Sequence, residues 1–433
     1  MATLRLLVRH AKQVVMVCNK GQLALPGAAM NQLAVLTKSD QSSSTGYSIV
    51  VDNCGTIDAI GPDEEIDKEF SPKDFTNIID ATDMCVLPGL VDGHTHPVWA
   101  GDRVHEFKMK LRGASYMEVH ASGGGINFTV RHTRQASEDD LYNSFQKRAS
   151  NMMKNGTTLF EAKSGYGLDV DTEIKMLRVI KRGIDNFPID ISATYCGAHS
   201  VPENLTMEEA TDDIINNQIP AIKELIDQGS LQVDNIDVFC EKGVFDVPST
   251  SKILKAGKET GLALNFHGEE LHPLQSAEMG AKLGARAISH LEMVSDEGIK
   301  AMASSGTVAV LLPTTAYILK LSPPPARKMI DNGVAVALGS DFNPNAYCLS
   351  MPLVMHLACI ILKMTMEEAL AAATINAAAS LGKSKRQGSL EIGKLGDMLI
   401  IDAASWEHLI YQMGNQESLI KYVIKGGNIV YHR

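Results

Sequence analysis

Residues 86–96 read Val-Leu-Pro-Gly-Leu-Val-Asp-Gly-His-Thr-His, an apolar run over 86–91 followed by a His-x-His pair. The run reads as a β-strand, and residues i and i+2 of a strand point to the same side. His94 and His96 are therefore placed to share one cation at the strand's mouth. Neutral imidazole nitrogens suit a borderline metal such as zinc or iron. A lone His-x-His is a weak signal, and its weight comes from the rest of the chain.

Seven more short apolar runs follow, at 157–162, 191–196, 236–240, 262–266, 286–289, 308–312 and 334–338. They alternate only weakly between apolar and polar, as strands buried on both faces do. Helical periodicity fills 139–155, 171–186, 207–228, 248–260, 273–283, 296–304 and 324–332. Such alternation closes most naturally into an α/β fold, a parallel (β/α)8 TIM-like barrel. Short Val- and Ile-rich runs mark both ends: 4–8, 14–18, 48–52 and 56–60 in front, and 397–402, 420–424 and 428–431 behind. They are expected to pair into a small β-sandwich built from both termini. The division is thus 1–84 (sandwich), 85–385 (barrel) and 386–433 (sandwich). The polar stretch 38–46 (KSDQSSSTG) reads as a loop.

Catalytic groups in such barrels sit where the strands end. His94 and His96 follow the first strand, and Lys163-Ser164-Gly165-Tyr166-Gly167 the second. His199, Glu241, His267, His290 and Asp341 follow the third, fourth, fifth, sixth and eighth; the seventh ends in Pro313-Thr314, without a metal-binding group. A single His in such a place is more often hydrogen-bonded to a carbonyl than a ligand, and Asp341 could cap a helix. Seven polar endings out of eight outweigh those readings. His10, His105, His120, His132, His356, His408 and His432 lack this placement and read as structural. His272 lies beyond the fifth strand, before Pro273, and is a poor ligand candidate.

A formal charge of -11 argues against nucleic acid, which needs a basic stripe, and against anionic membrane. It leaves room for an anionic substrate, because a local Arg overrides the average field. Seven scattered cysteines without a C-x-x-C fit a reducing, cytoplasmic setting. The apolar opening 4–18 is broken by Arg5, Arg9 and Lys12 and lacks a cleavage site; the apolar stretch 349–362 is too short to span a bilayer.

The segments PGLVDGHTH (88–96), SGYGL (164–168), GAHSVP (197–202), DVFCEKGVF (237–245), FHGEE (266–270), ISHLE (288–292) and GSDFNP (339–344) carry a resemblance to the amidohydrolase superfamily. It extends from the first strands to LGDMLIID (395–402). More closely, the chain resembles the members that open a cyclic amide ring in histidine degradation, 4-imidazolone-5-propanoate plus water giving N-formimidoyl-L-glutamate. The resemblance implies one transition-metal ion per chain, Zn2+ or Fe3+, held by His94, His96, His267 and Asp341. It implies catalytic roles for Asp341 as proton carrier, His290 beside the developing oxyanion, and Glu270 at a ring N–H. Arg103, Tyr166, His199, Glu270 and Asn343 would bind a substrate with a carboxylate tail. Arg103 has a plainer reading, an ion pair with Asp102 or Glu106. After Asn343-Pro344, bacterial members usually continue with Gly and a small hydroxyl residue; here stand Asn345 and Ala346, so a hydroxyl contact at 346 is lost.

The main alternative is a deaminase acting on a ring amine with the same metal set. A binuclear hydrolase would need a bridging lysine, for which Lys242 is the candidate after the fourth strand. A non-catalytic scaffold would have lost ligands that are intact here. Gly123-Gly124-Gly125 lacks the Gly-Lys-Ser/Thr of a phosphate loop and reads as a flap or a plain turn. Pro323-Pro324-Pro325 reads as a helix start. A two-fold homodimer is the expected assembly.

Overall fold

A computed structural model of the chain describes residues 4–38, 45–113 and 124–433. Most of the 38–46 loop, His120 and Gly123 lie outside them. Eight strands pair in parallel in chain order: Leu90–Asp92, Thr157–Lys163, Asp190–Ala198, Asn235–Cys240, Ala263–Gly268, Ala287–His290, Val308–Leu311 and Val336–Leu338. Backbone bonds join the last to the first. Gly93 N donates to Leu338 O (3.1 Å), Asp341 N to His94 O (3.0 Å) and His96 N to Phe342 O (2.8 Å). Buried Asp92 reinforces the seam by accepting from Ser340 N at 2.8 Å and Ser340 Oγ at 2.5 Å. The barrel is closed, as expected, and closure carries the first and last candidate ligands to one place.

The run at 86–91 is two strands. Cys85–Pro88 pairs antiparallel with Met398–Ile401 in the terminal sheet, and Leu90–Asp92 pairs with the second barrel strand. Gly89 is the crossing point. A Cβ there would lie 2.2 Å from Thr158 Oγ1 and 2.8 Å from Thr158 Cβ, so a side chain does not fit. Apolar character alone hid the switch, because the strand is buried in both sheets.

The termini form two sheets. One orders Ile57–Pro62, Tyr47–Val51, Leu4–Ala11 and Phe75–Asp80. The other orders Asn428–His432, Ile420–Lys425, Met398–Ile401, Cys85–Pro88, Gln13–Val17 and Ala34–Thr37. Leu6, Val8, Ile49, Val86, Met398, Ile400 and Ile424 share one buried cluster between them, a sandwich core. Phe75–Asp80 and Ala34–Thr37 were not foreseen; the first exposes four of its six residues and the second buries none of its four, so neither shows a continuous buried apolar face.

The helix expected at 207–228 is interrupted. Met207–Asp213 leads into a wide π turn, Ile214–Gln218, before Ile219–Asp227. Pro220 has no N–H for a regular helical bond, and the widened turn absorbs that loss. The helix expected from 273 begins only at Ser276, because Glu269 accepts from Leu274 N and Ser276 N and holds the preceding residues as a loop. Helices at Val104–Leu111, Ile126–Gln135, Pro313–Leu319 and Met351–Ile361 were also unforeseen. Among the described residues, no helix is long and apolar enough to cross a membrane.

Candidate active site

His94, His96, His267 and Asp341 converge at the strand ends, all nearly inaccessible to solvent. Nε2 of His96 lies 3.2 Å from Nε2 of His94 and 3.2 Å from Nε2 of His267. Asp341 Oδ1 lies 3.6 Å from His94 Nε2 and 3.7 Å from His96 Nε2. The outer nitrogens explain this inward aim. His267 Nδ1 meets Asp237 Oδ1 at 2.7 Å, and His94 Nδ1 meets Ser289 Oγ at 2.8 Å. A carboxylate only accepts, so His267 carries its proton on Nδ1 and turns a lone pair inward.

Burial holds His94, His96 and His267 well below the usual 6.5, keeping all three neutral. His267 thus turns a lone pair towards His96 Nε2, and the Nε2 atoms of the three imidazoles gather beside a carboxylate oxygen. The donor set of three imidazoles and one carboxylate fits a transition ion.

The backbone is bent to deliver these groups. His290, Leu291 and Asp341 have φ of 77°, 68° and 47°, a region that side-chain-bearing residues enter at a cost. His290 Nε2 lies 3.6 Å from Glu270 Oε2. Burial disfavours a charged His290, but Glu270, Glu292 and Asp341 outweigh it and raise the imidazole to about 10. Burial raises Glu270 to about 7, against the pull of His290. Burial also raises Asp341, whose Oδ2 accepts from the Thr315 hydroxyl.

A cavity of about 240 Å³ opens above the cluster, lined by His96, Arg103, Tyr166, His199, His267, Glu270, His290, Asp341 and Asn343. His94 lies beneath it. The His199 ring stacks on His96 (4.6 Å, 10°), and its Nδ1 bonds Gly165 O at 3.0 Å. Burial lowers His199 to about 4. Buried Tyr166 rides on a loop that Glu173 holds by accepting from Gly165, Gly167 and Leu168 N–H groups.

Arg103 reaches the cavity and is also ion-paired. Its Nε and Nη2 donate to Glu106 Oε1 and Oε2 at 2.9 and 2.8 Å, and Glu106 accepts from Gly125 N at 2.9 Å. Gly125 therefore lies tied beside the cavity mouth. Asn343 lines the cavity, but its side chain shapes the turn. Nδ2 donates to Asp341 O, and Oδ1 accepts from Asn345 N and Ala346 N. Asn345 Oδ1 accepts from Lys110 Nζ at 2.5 Å, and Ala346 is buried away from the cavity.

Glu241, grouped with the other strand endings by position, is scaffold. It accepts from Leu271 N (2.9 Å) and His272 Nδ1 (2.7 Å), fixing the segment that carries Glu270. Half-exposed His272 stands on that outer side. Lys242 is exposed, so it bridges no buried ions.

The sequence reading missed Asp237, Ser289, Thr315 and Glu292, and it left Lys163 without a role. Lys163 Nζ lies 2.5 Å from Asp237 Oδ2 and 2.8 Å from Glu161 Oε2, all three fully buried. Burial opposes the charge on Lys163, but Asp237 and Glu161 together hold it above the usual lysine range. The available signal was charge inside apolar strands, Glu161 and Lys163 in TTLFEAK and Asp237 in NIDVFC.

The amidohydrolase family profile matches residues 85–430. A probable imidazolonepropionase of Mus musculus is 61% identical over 429 residues, covering 99% of each chain. Another, from Nematostella vectensis, is 60% identical over 428 residues, again covering 99% of each. The fold is also that of an atrazine chlorohydrolase from Arthrobacter aurescens complexed with zinc (TM-score 0.67, 15% identity, 99% and 95% covered). Family and donor set together support a metal cofactor. From the donor cluster, the profile match and the end-to-end relatives, the chain belongs to the amidohydrolase family, within the group that these imidazolonepropionase relatives form.

Proposed function

We propose that this site hydrolyses 4-imidazolone-5-propanoate to N-formimidoyl-L-glutamate, with one Zn2+ or Fe3+ held by His94, His96, His267 and Asp341. The observation that carries the reading is the convergence of those four residues beneath a cavity that also holds Glu270 and His290. Relatives at about 60% identity favour it over ring deamination. When bound, the ion acidifies water and polarises a carbonyl.

The remaining work falls to side chains. Water adds to the ring carbonyl carbon, the bond from that carbon to the ring nitrogen breaks, the carbon becomes a carboxylate, and the nitrogen takes a proton. Asp341 accepts the proton of water and passes it towards the leaving nitrogen. His290, kept charged by its carboxylate neighbours, donates a hydrogen bond to the oxyanion as it forms. Glu270, raised to about 7, exchanges a proton with a ring N–H near neutral pH.

Tyr166 and His199 wall the ring. Arg103 supplies the guanidinium donors that Glu106 leaves free to the propionate tail. A homodimer in the cytoplasm is the assembly and setting we assign. Incubating the metal-loaded protein with 4-imidazolone-5-propanoate tests the reading. The expected product is heavier by one water, with no ammonia released; release of ammonia, or unchanged substrate, refutes it.

A further inference from the structure

Glu292 is a carboxylate that faces His290 from outside the cavity lining. Its side chain is 1% exposed, yet among the described residues neither oxygen has a hydrogen-bond partner. His290 Nδ1 is likewise buried without one. The two unsatisfied groups face each other, Glu292 Oε2 lying 3.8 Å from His290 Nδ1. A buried carboxylate left unpaired is costly, and so is a buried ring N–H. The backbone puts this cost where it is. The consecutive left-handed residues His290 and Leu291 fold the chain back, and the turn is tied down by Leu291 N to Gly268 O (3.1 Å) and Met293 N to Glu269 O (2.8 Å). Glu292 thereby sits behind the imidazole, and Glu270 sits in front of it.

We propose that Glu292 is the positioning residue of His290: it takes the Nδ1 proton in a hydrogen bond and so aims Nε2 at the cavity. The proposal rests on the hydrolytic role given to His290 above. It assigns Glu292 no contact with substrate, consistent with its place outside the cavity lining. The imidazole orientation is the same relay by which Asp237 orients His267, made here for a ring that serves the transition state. Gln at 292 keeps an acceptor oxygen in place and loses the charge. Met keeps the length and loses both.

Three measurements on the metal-loaded full chain decide the matter. In Glu292→Met, kcat should fall on the order of 10–100-fold, with KM and bound metal within about threefold of the parent. Glu292→Gln should recover most of that loss and folds with an isosteric side chain. In the His290→Ala background, Glu292→Met should cost nothing further, since its effect passes through that ring. Long-range proton–nitrogen spectra of histidine-labelled protein, assigned with His290→Ala, should show both His290 nitrogens protonated in the parent, with the Nδ1 resonance displaced in Glu292→Met. Parent-like kcat and parent-like His290 nitrogens in Glu292→Met overturn the proposal, as do multiplying effects in the double variant. If the parent fails to turn over the substrate, the functional reading falls, while the nitrogen spectra still decide Glu292.

Discussion

Asp237 bridges His267 and Lys163, with one oxygen 2.7 Å from the imidazole Nδ1 and the other 2.5 Å from the buried ammonium. The orientation of a proposed ligand thus depends on a buried cation outside the cavity lining. Asp237→Ala should weaken metal affinity on the order of 10–100-fold. Lys163→Met should cost about 3–5 kcal/mol of stability, because two buried carboxylates lose their counter-charge. Competition with a chelator reads the first and urea unfolding the second; parent values in both would remove this triad from the account.

Gly89 carries the chain from one sheet to the next with Thr158 against its α-carbon. Gly89→Ala should destabilise the protein by about 1–3 kcal/mol through overpacking. A lowered melting temperature is expected. Pairing it with Thr158→Ala should restore part of the loss, and no loss in the single variant would place the crossing elsewhere.

Arg103 tests the substrate class. Arg103→Met should weaken carboxylate-tailed ring compounds by about 2–5 kcal/mol where the pair is desolvated, and amide-tailed ones far less. The Glu106 pair complicates only the absolute size, since both compounds feel it equally. Equal losses would leave Arg103 as the anchor of Glu106 and Gly125 alone.

Acidification should act later than free imidazoles titrate. Burial lowers His94, His96 and His267 well below 6.5, so protons compete with the ion only well below that pH. For the metal-free chain the sign follows from linkage. At these three imidazoles the unfolded state binds more protons below about 6.5 than the folded state does, so their contribution to stability is full above that pH and is lost as pH falls. Metal retention during stepped acidification, together with metal-free unfolding curves, checks both. Release of the ion already at pH 7 would contradict the neutral, buried ligand set.

The barrel and the meeting place of the candidate ligands were legible because both rest on one-dimensional pattern. Strand length, period and terminal residues put His94, His96, His267, His290 and Asp341 at one rim before any packing was known. What escaped depends on neighbours distant in sequence. The split at Gly89 follows from Thr158, and Asp237 matters through His267 thirty residues on; Asn343 is the local exception, its side chain spent on a turn with Asp341, Asn345 and Ala346. Glu241 was grouped with the site by position, but it faces Leu271 and His272 instead of the histidine cluster.

The most direct test titrates activity against bound metal. Chain stripped of metal should be inactive on 4-imidazolone-5-propanoate. Activity should rise in proportion to the bound ion, level off at one ion per chain, and vanish with the bound ion in His267→Ala. A plateau at two ions, or full turnover in the stripped chain, would contradict a single centre at His94, His96, His267 and Asp341.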